Sequence, residues 1–131
     1  MVTFFHDQSI VEGKLRSVAI LAAVRELGAE YVWAAQVAAA RGNGVREELI
    51  DLIRAKGDPG KLPAEEREIV TYTRQLMRAN RVDQATFDAL KKRYSAQWLV
   101  ELTAAASYFA FVSGIANAFE VPVPPDGDKL S

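Results

Sequence analysis

Few side chains in this sequence can bond covalently to a substrate or bind a metal ion. Cysteine is absent, which excludes disulfides, thiolate nucleophiles, thiol redox cycles, iron–sulfur clusters and cysteine zinc sites. His6 is the only histidine, so a histidine–carboxylate triad or a multi-histidine metal site from one chain would have to include it. We therefore expect no metal site, and we expect His6 on the surface of the N-terminal segment.

Glu101 is a carboxylate in an otherwise apolar stretch. Such a group must be exposed at the start of its helix, be paired, or have a perturbed pKa. We favour a structural pair, with an arginine as one candidate partner, over a catalytic role.

Length and composition indicate one soluble globular domain. The chain has 131 residues, half of them apolar and a quarter charged, with a net charge of −1. This balance has no basic surplus, so nucleic acid is not the expected partner. The N-terminal residues lack a basic region and a long apolar run, which predicts no secretory signal and a cytoplasmic location.

Apolar residues recur at helical spacing along most of the chain, and alternation of period two does not persist, so no sheet is expected. A capping-box pattern at Ser9 and Glu12 predicts that the first helix starts at residue 10 and ends before Gly28. Further capping, proline and glycine signals predict five more helices. These cover residues 30–41, 45–56, about 63–80, a short segment after Asp83, and the stretch from Ser95 to about 119.

The last of these helices is apolar nearly all round, which is typical of a bundle centre or a membrane span. We favour the bundle, because the run contains serine, threonine, asparagine and glycine and is flanked by acidic residues. Ala106, Ala110, Gly114 and Ala118 form a smooth stripe at i, i+4 spacing along which another helix could approach. The stripe predicts a bundle centre or a subunit interface, and hence a homo-oligomer.

Several segments together resemble the carboxymuconolactone decarboxylase family, which includes the alkylhydroperoxidase D-like proteins. They are KLRSVAILAA at 14–23, GAEYVWAAQ at 28–36, GVREELID at 44–51, WLVEL at 98–102 and NAFEVP at 117–122. The resemblance divides the chain into an unmatched segment 1–13, a helical domain 14–121 and a proline-rich tail 122–131, which we expect to be extended or loose. It implies an all-α, alkylhydroperoxidase D-like bundle of about six helices that assembles as a trimer or hexamer. It also implies a small-molecule ligand without a cofactor. The charge balance and the polar residues of the last helix predict no nucleic-acid or membrane partner.

The peroxidase-like branch of this family has a CxxC pair, a histidine four residues after the second cysteine and a glutamate twelve residues before the first. Aligning that histidine with Gln36 places the cysteines at Ala29 and Val32 and the glutamate at Ser17. All four positions are replaced here. Alanine and valine cannot form a thiolate, so thiol peroxidase activity is excluded for this chain acting alone.

The decarboxylase branch does not require cysteine, because loss of carbon dioxide from an activated acid needs mainly a proton donor and stabilisation of the enolate. Related sequences often read EYxWxxH here, and this chain keeps Glu30, Tyr31 and Trp33 but has Gln36 in place of the histidine. The resemblance thus implies Glu30 and Tyr31 as catalytic candidates. It implies Arg16, Trp33 and Gln36 as substrate-binding residues, with Arg16 holding an anion.

Three of these residues also have a purely structural interpretation. Glu30 would be stabilised by the dipole of the helix that it begins, and Tyr31 and Trp33 would be core or interface aromatics. Two function classes stay open. One is a cofactor-independent decarboxylase or lyase acting on a small carboxylated or carbonyl compound, and the other is a non-catalytic oligomeric small-molecule-binding or scaffold protein that has lost the reactive residues of the family.

Overall fold

The computed structural model describes residues 10–130, and in this part of the chain all regular structure is helical. His6 and the predicted cap at Ser9 lie outside these residues. The six α-helices confirm the predicted all-α fold. They are α1 (Gly13–Leu27), α2 (Glu30–Gly42), α3 (Glu47–Arg54), α4 (Ala64–Ala79), α5 (Gln84–Arg93) and α6 (Ala96–Ala118), with a 3₁₀ turn at Pro59–Lys61.

Helix α1 is the centre of the bundle. Its main packing partners are α4 and α6, and α2 covers a third side. Ten of its fifteen residues are buried, including three alanines, Ala19, Ala22 and Ala23, whose small side chains let the neighbouring helices come close. Helices α2, α3, α4 and α6 thus pack directly on α1, whereas α5 packs mainly on α4 and α6.

Helix α1 begins three residues later than predicted, at Gly13 instead of residue 10. Tertiary contacts take the preceding residues out of the helix: the backbone N–H of Ile10 donates to Oε1 of Glu101 (3.0 Å), and Val11 is buried in the core. Glu12 is the N-cap residue, and its side chain does not cap the helix. The predicted helix start at residue 10 is therefore wrong.

The other helix boundaries follow local signals more closely. Oδ1 of Asp83 accepts from the Thr86 amide (2.8 Å), which confirms the predicted cap, and Oγ of Ser95 accepts from the Trp98 amide (3.0 Å), in agreement with the predicted helix start near Ser95. Helix α3 is shorter than predicted. Its start is delayed because the Val45 amide bonds to the Ala40 carbonyl in the connection from α2, and after its end Lys56 has a positive φ of 55°.

Helix α6 lies at the side of the bundle and is not its centre. One face packs on α1, while Val100, Phe111, Ile115 and Phe119 are exposed on the rest. The small-residue stripe divides between the two environments, because Ala106 is buried whereas Gly114 and Ala118 are exposed. Among the helices of residues 10–130, α6 is the one long and apolar enough to cross a membrane by length and composition.

The C-terminal tail is irregular, as predicted, but it is not loose. It runs back along α2 from the start of that helix to its end. Near the end, both carboxylate oxygens of Asp128 accept from Arg41 (2.8 Å each), one also lies 3.4 Å from Nη2 of Arg54, and Leu130 is buried. The tail thus forms part of the wall beside α2.

Candidate functional site

A cleft of about 290 Å³ opens where α1 ends, α2 begins and α6 passes into the tail. This volume is close to the lower end of small-molecule sites, about 300 Å³. Glu30 and Tyr31 lie in its wall, so the structure brings the two predicted catalytic residues into one cavity. The complete lining is Gly28, Glu30, Tyr31, Ala116, Asn117, Glu120, Val121, Pro122 and Val123.

Gly28 makes the sharp turn from α1 into α2. Its φ of 63° lies in the left-handed region that favours glycine, and its N–H bonds back to the Arg25 carbonyl (3.2 Å). Asn117 then joins this turn to α6, because its Nδ2 donates to the carbonyl of Leu27 (3.0 Å). These two features hold Glu30 and Tyr31 beside the end of α6.

Glu120 occupies the corresponding turn at the end of α6. Its N–H bonds to the Asn117 carbonyl (3.2 Å) and the Val121 N–H to the Ala116 carbonyl (3.0 Å), which is the Schellman pattern. The φ of Glu120 is 49°, a conformation in which glycine is usual and a side chain is strained. A carboxylate is thus held at the cleft against a local backbone preference.

The polar groups of the cleft suit proton transfer better than binding of an anion. It offers the carboxylates of Glu30 and Glu120, the phenol of Tyr31 and the amide of Asn117, and the described lining contains no lysine or arginine. Two carboxylates repel a carboxylated ligand, whereas a neutral carbonyl can accept a hydrogen bond from the phenol.

The three predicted substrate-binding residues lie outside this cleft. Trp33 is fully buried in the core, and the Arg54 guanidinium lies 5.7 Å from its ring centroid. Gln36 is half-buried further along α2, six residues from Glu30 and about 9 Å away along the helix axis. Arg16 is at the far end of the α1–α2 pair, eleven residues or about 16 Å along α1 from Leu27.

The positions aligned with the reactive residues of the peroxidase pattern are packed into the bundle. Ala29 and Val32 are buried, and Ser17 is buried with its Oγ accepting from Nδ2 of Asn43 (2.9 Å). Glu101 is also buried, and it makes its structural pair with the Ile10 amide. No arginine lies within ion-pair distance of it in the described residues.

Sequence reasoning missed Glu120 and Asn117 as cleft residues, and it missed a buried charge cluster at Glu26. The Glu26 side chain is 7% exposed and accepts two hydrogen bonds from Arg78 (2.7 and 3.0 Å), with Lys56 and Arg74 each 3.9 Å away. Burial opposes ionisation of Glu26, but the three cations prevail and lower its pKa. Spacing along the chain contains no signal for this cluster, whose members come from α1, α4 and the segment after α3.

Comparisons with known proteins support the fold. No protein-family model matches the chain, and no curated protein sequence matches it. A crystal structure from Agrobacterium tumefaciens matches with a TM-score of 0.78 and 16% sequence identity, covering 95% of this chain and 86% of the other. That protein is described as one of unknown function and as a candidate AhpD antioxidant defence protein. The chain therefore has the all-α, alkylhydroperoxidase D-like fold.

Proposed function

We propose that the cleft at the start of α2 binds a small carbonyl-bearing molecule and that Glu30 and Tyr31 transfer a proton to or from it. Of the reaction types that the sequence resemblance implies, decarboxylase and lyase, the lining favours a lyase-type reaction of a carbonyl compound, because its two carboxylates would repel a carboxylated substrate. The observation that carries the proposal is the placement of these two side chains in one wall of the cleft. Neither residue is needed to fill the core, since both are exposed.

The proposed chemistry is a proton transfer at the carbon next to a carbonyl. Glu30 removes a proton from that carbon, or returns one to it, while the Tyr31 phenol donates a hydrogen bond to the carbonyl oxygen as enolate charge develops. Because the lining pairs two carboxylates with no cationic side chain, a neutral ketone, ester or lactone is the preferred substrate class over a carboxylated one.

Deuterium exchange tests this function without a known substrate. A panel of small ketones and lactones in D₂O is followed by proton NMR for protein-dependent loss of the signal next to the carbonyl. We expect Glu30→Gln and Tyr31→Phe to lower the exchange rate by roughly 10²–10⁴-fold and about 10-fold or more, respectively. Glu48→Gln, on the exposed surface of α3, is the matched control and should leave the rate unchanged.

The proposal fails if both cleft variants exchange the panel at the wild-type rate, or if no compound exchanges faster with protein than in buffer. The second result would leave a non-catalytic oligomeric binding or scaffold protein, and one observation supports the assembly that both alternatives share. This is the exposed apolar face of α6.

We propose that this face, formed by Val100, Phe111, Ile115 and Phe119, docks a second copy of the chain in a trimer or hexamer. From their exposed fractions, these side chains present about 450 Å² of apolar surface. A stable interface buries about 800 Å² per partner, of which somewhat more than half is apolar. No charged residue occurs from 102 to 119, so two copies of this face would not repel one another.

Light scattering tests the assembly. Wild type should have a mass that is a multiple of 14.4 kDa. Phe111→Asp should shift it to the monomer because it buries an unpaired charge at the centre of the face. Gln97→Asp, exposed at the start of the same helix, is the control and should assemble normally. A monomeric wild type contradicts the proposal, as does a monomer that sediments with lipid vesicles through α6.

A further inference from the structure

Arg16 is a buried cation without a counter-charge in the described chain. The residue is 8% exposed, and within residues 10–130 its guanidinium makes no hydrogen bond or ion pair. A guanidinium has five N–H donors and stays protonated in proteins, so burying it unpaired is costly. Burial is the cause that lowers its pKa.

The side chain reaches back to the first turn of α1. Helical side chains lean toward the N-terminus, and Nη2 of Arg16 lies 3.6 Å from the position that a Cβ on Gly13 would occupy. Oδ1 of Asn43, from the end of α2, lies 3.3 Å from the same position. Because Gly13 has no side chain, the guanidinium and Asn43 can both approach this position, and a Cβ there would be in close contact with Asn43.

The first turn of α1 supplies further hydrogen-bond donors. The first amides of a helix have no partner within it, and the N-cap residue Glu12 does not cap them with its side chain. These amides also carry the positive end of a 15-residue helix dipole. The nearby acids have other partners: Glu101 accepts from the Ile10 amide, and Glu66 pairs with Arg46 and Lys14.

We propose that Arg16 and the first-turn amides of α1 form a binding site for a small oxyanion, a carboxylate or a phosphate, beside Gly13. The site is at the opposite end of the α1–α2 pair from the Glu30–Tyr31 cleft and does not depend on the function proposed for that cleft.

The test uses inorganic phosphate and acetate as probes at constant ionic strength, with NMR shifts of the backbone amides as the readout. We expect the amides of residues 13–15 to move with either probe, and the stronger one identifies the preferred anion. Arg16→Gln should weaken that affinity by at least about tenfold. Lys14→Gln removes the same charge from the same turn and should change the affinity by less than about twofold.

Gly13→Ala is a second variant that leaves every charge in place. Its Cβ would stand between the guanidinium and Asn43, so the affinity should fall as it does in Arg16→Gln. This variant decides the outcome if Arg16→Gln does not fold. Glu30→Gln should bind phosphate as wild type does, which separates this site from the cleft.

Three results would overturn the proposal. One is the absence of any shift at residues 13–15 with both probes. Another is an equal response of wild type, Arg16→Gln and Lys14→Gln, which would mean an adventitious ion only. The third is a normal affinity in Gly13→Ala.

Discussion

Replacing Glu26 by glutamine should destabilise the protein, because this carboxylate is buried and surrounded by three cations. The side chain is 7% exposed and accepts two charge-assisted hydrogen bonds from Arg78. Glutamine keeps the size of the side chain but removes the negative charge. Arg74, itself buried and with a buried Nη2 that has no partner, then loses its nearest counter-charge.

The magnitude follows from how much of the cluster can regain water. Breaking a buried pair costs about 3–5 kcal/mol, and a hydrogen bond to a charged group contributes about 1.5–3 kcal/mol. Arg78 is about half exposed and is rehydrated in the variant, whereas Arg74 is not. We therefore expect a loss of about 2–3 kcal/mol in the free energy of unfolding.

The same cluster predicts a pH dependence with a definite sign. The pKa of Glu26 is lowered in the folded protein, so its contribution to stability is fully present above its unfolded pKa, about 4.3. It is lost as the pH falls through the folded pKa. The stability difference between wild type and Glu26→Gln should accordingly be constant near neutral pH and shrink below about pH 4.

Urea unfolding of both proteins from pH 3 to pH 8 measures this difference. Glu48→Gln is the matched control, because Glu48 also pairs with an arginine, Arg46, but is mostly exposed, and its loss should cost less than about 1 kcal/mol. Equal losses for the two variants at pH 7, or a Glu26 effect that does not change on acidification, would refute the reasoning.

Three further substitutions have expected outcomes. Glu120→Gly should raise the free energy of unfolding by about 0.5–1 kcal/mol, measured by thermal or urea unfolding, because relief of the strain at the positive φ outweighs the extra entropy of the unfolded chain. Glu120→Ala keeps the strain and should not stabilise the protein. Asp128→Asn removes the ion pair with Arg41, so it should increase hydrogen exchange in residues 121–130 and lower the free energy of unfolding by about 1 kcal/mol. Both effects should be smaller at high salt, which screens the pair in the wild type. Trp33→Phe should lower the free energy of unfolding by about 1–2 kcal/mol, measured by calorimetry. The loss should come from the smaller side-chain volume alone, because Nε1 of Trp33 makes no hydrogen bond within the described chain that the variant could break.

The amino-acid sequence by itself determined the class of fold and most of the helix ends. Helical spacing of apolar residues is a local property, and so are the caps at Asp83 and Ser95 and the left-handed turn at Gly28, which is why these features could be read from short stretches of chain. The absence of cysteine similarly settled the exclusion of thiol chemistry without any structure.

The tertiary structure decided which helix is central and which side chains share a site. Helix α6 is more apolar than α1, yet α1 is the buried centre, because burial depends on what packs against a helix as well as on its own composition. The sequence resemblance places Arg16 and Glu30 in one site, but Arg16 lies near the start of α1 and Glu30 at the start of α2, so nearly the whole length of α1 separates them. The packing of α6 against α1 and α2 brings Glu120 beside Glu30, ninety residues away in the chain, because only folding closes distances of that kind.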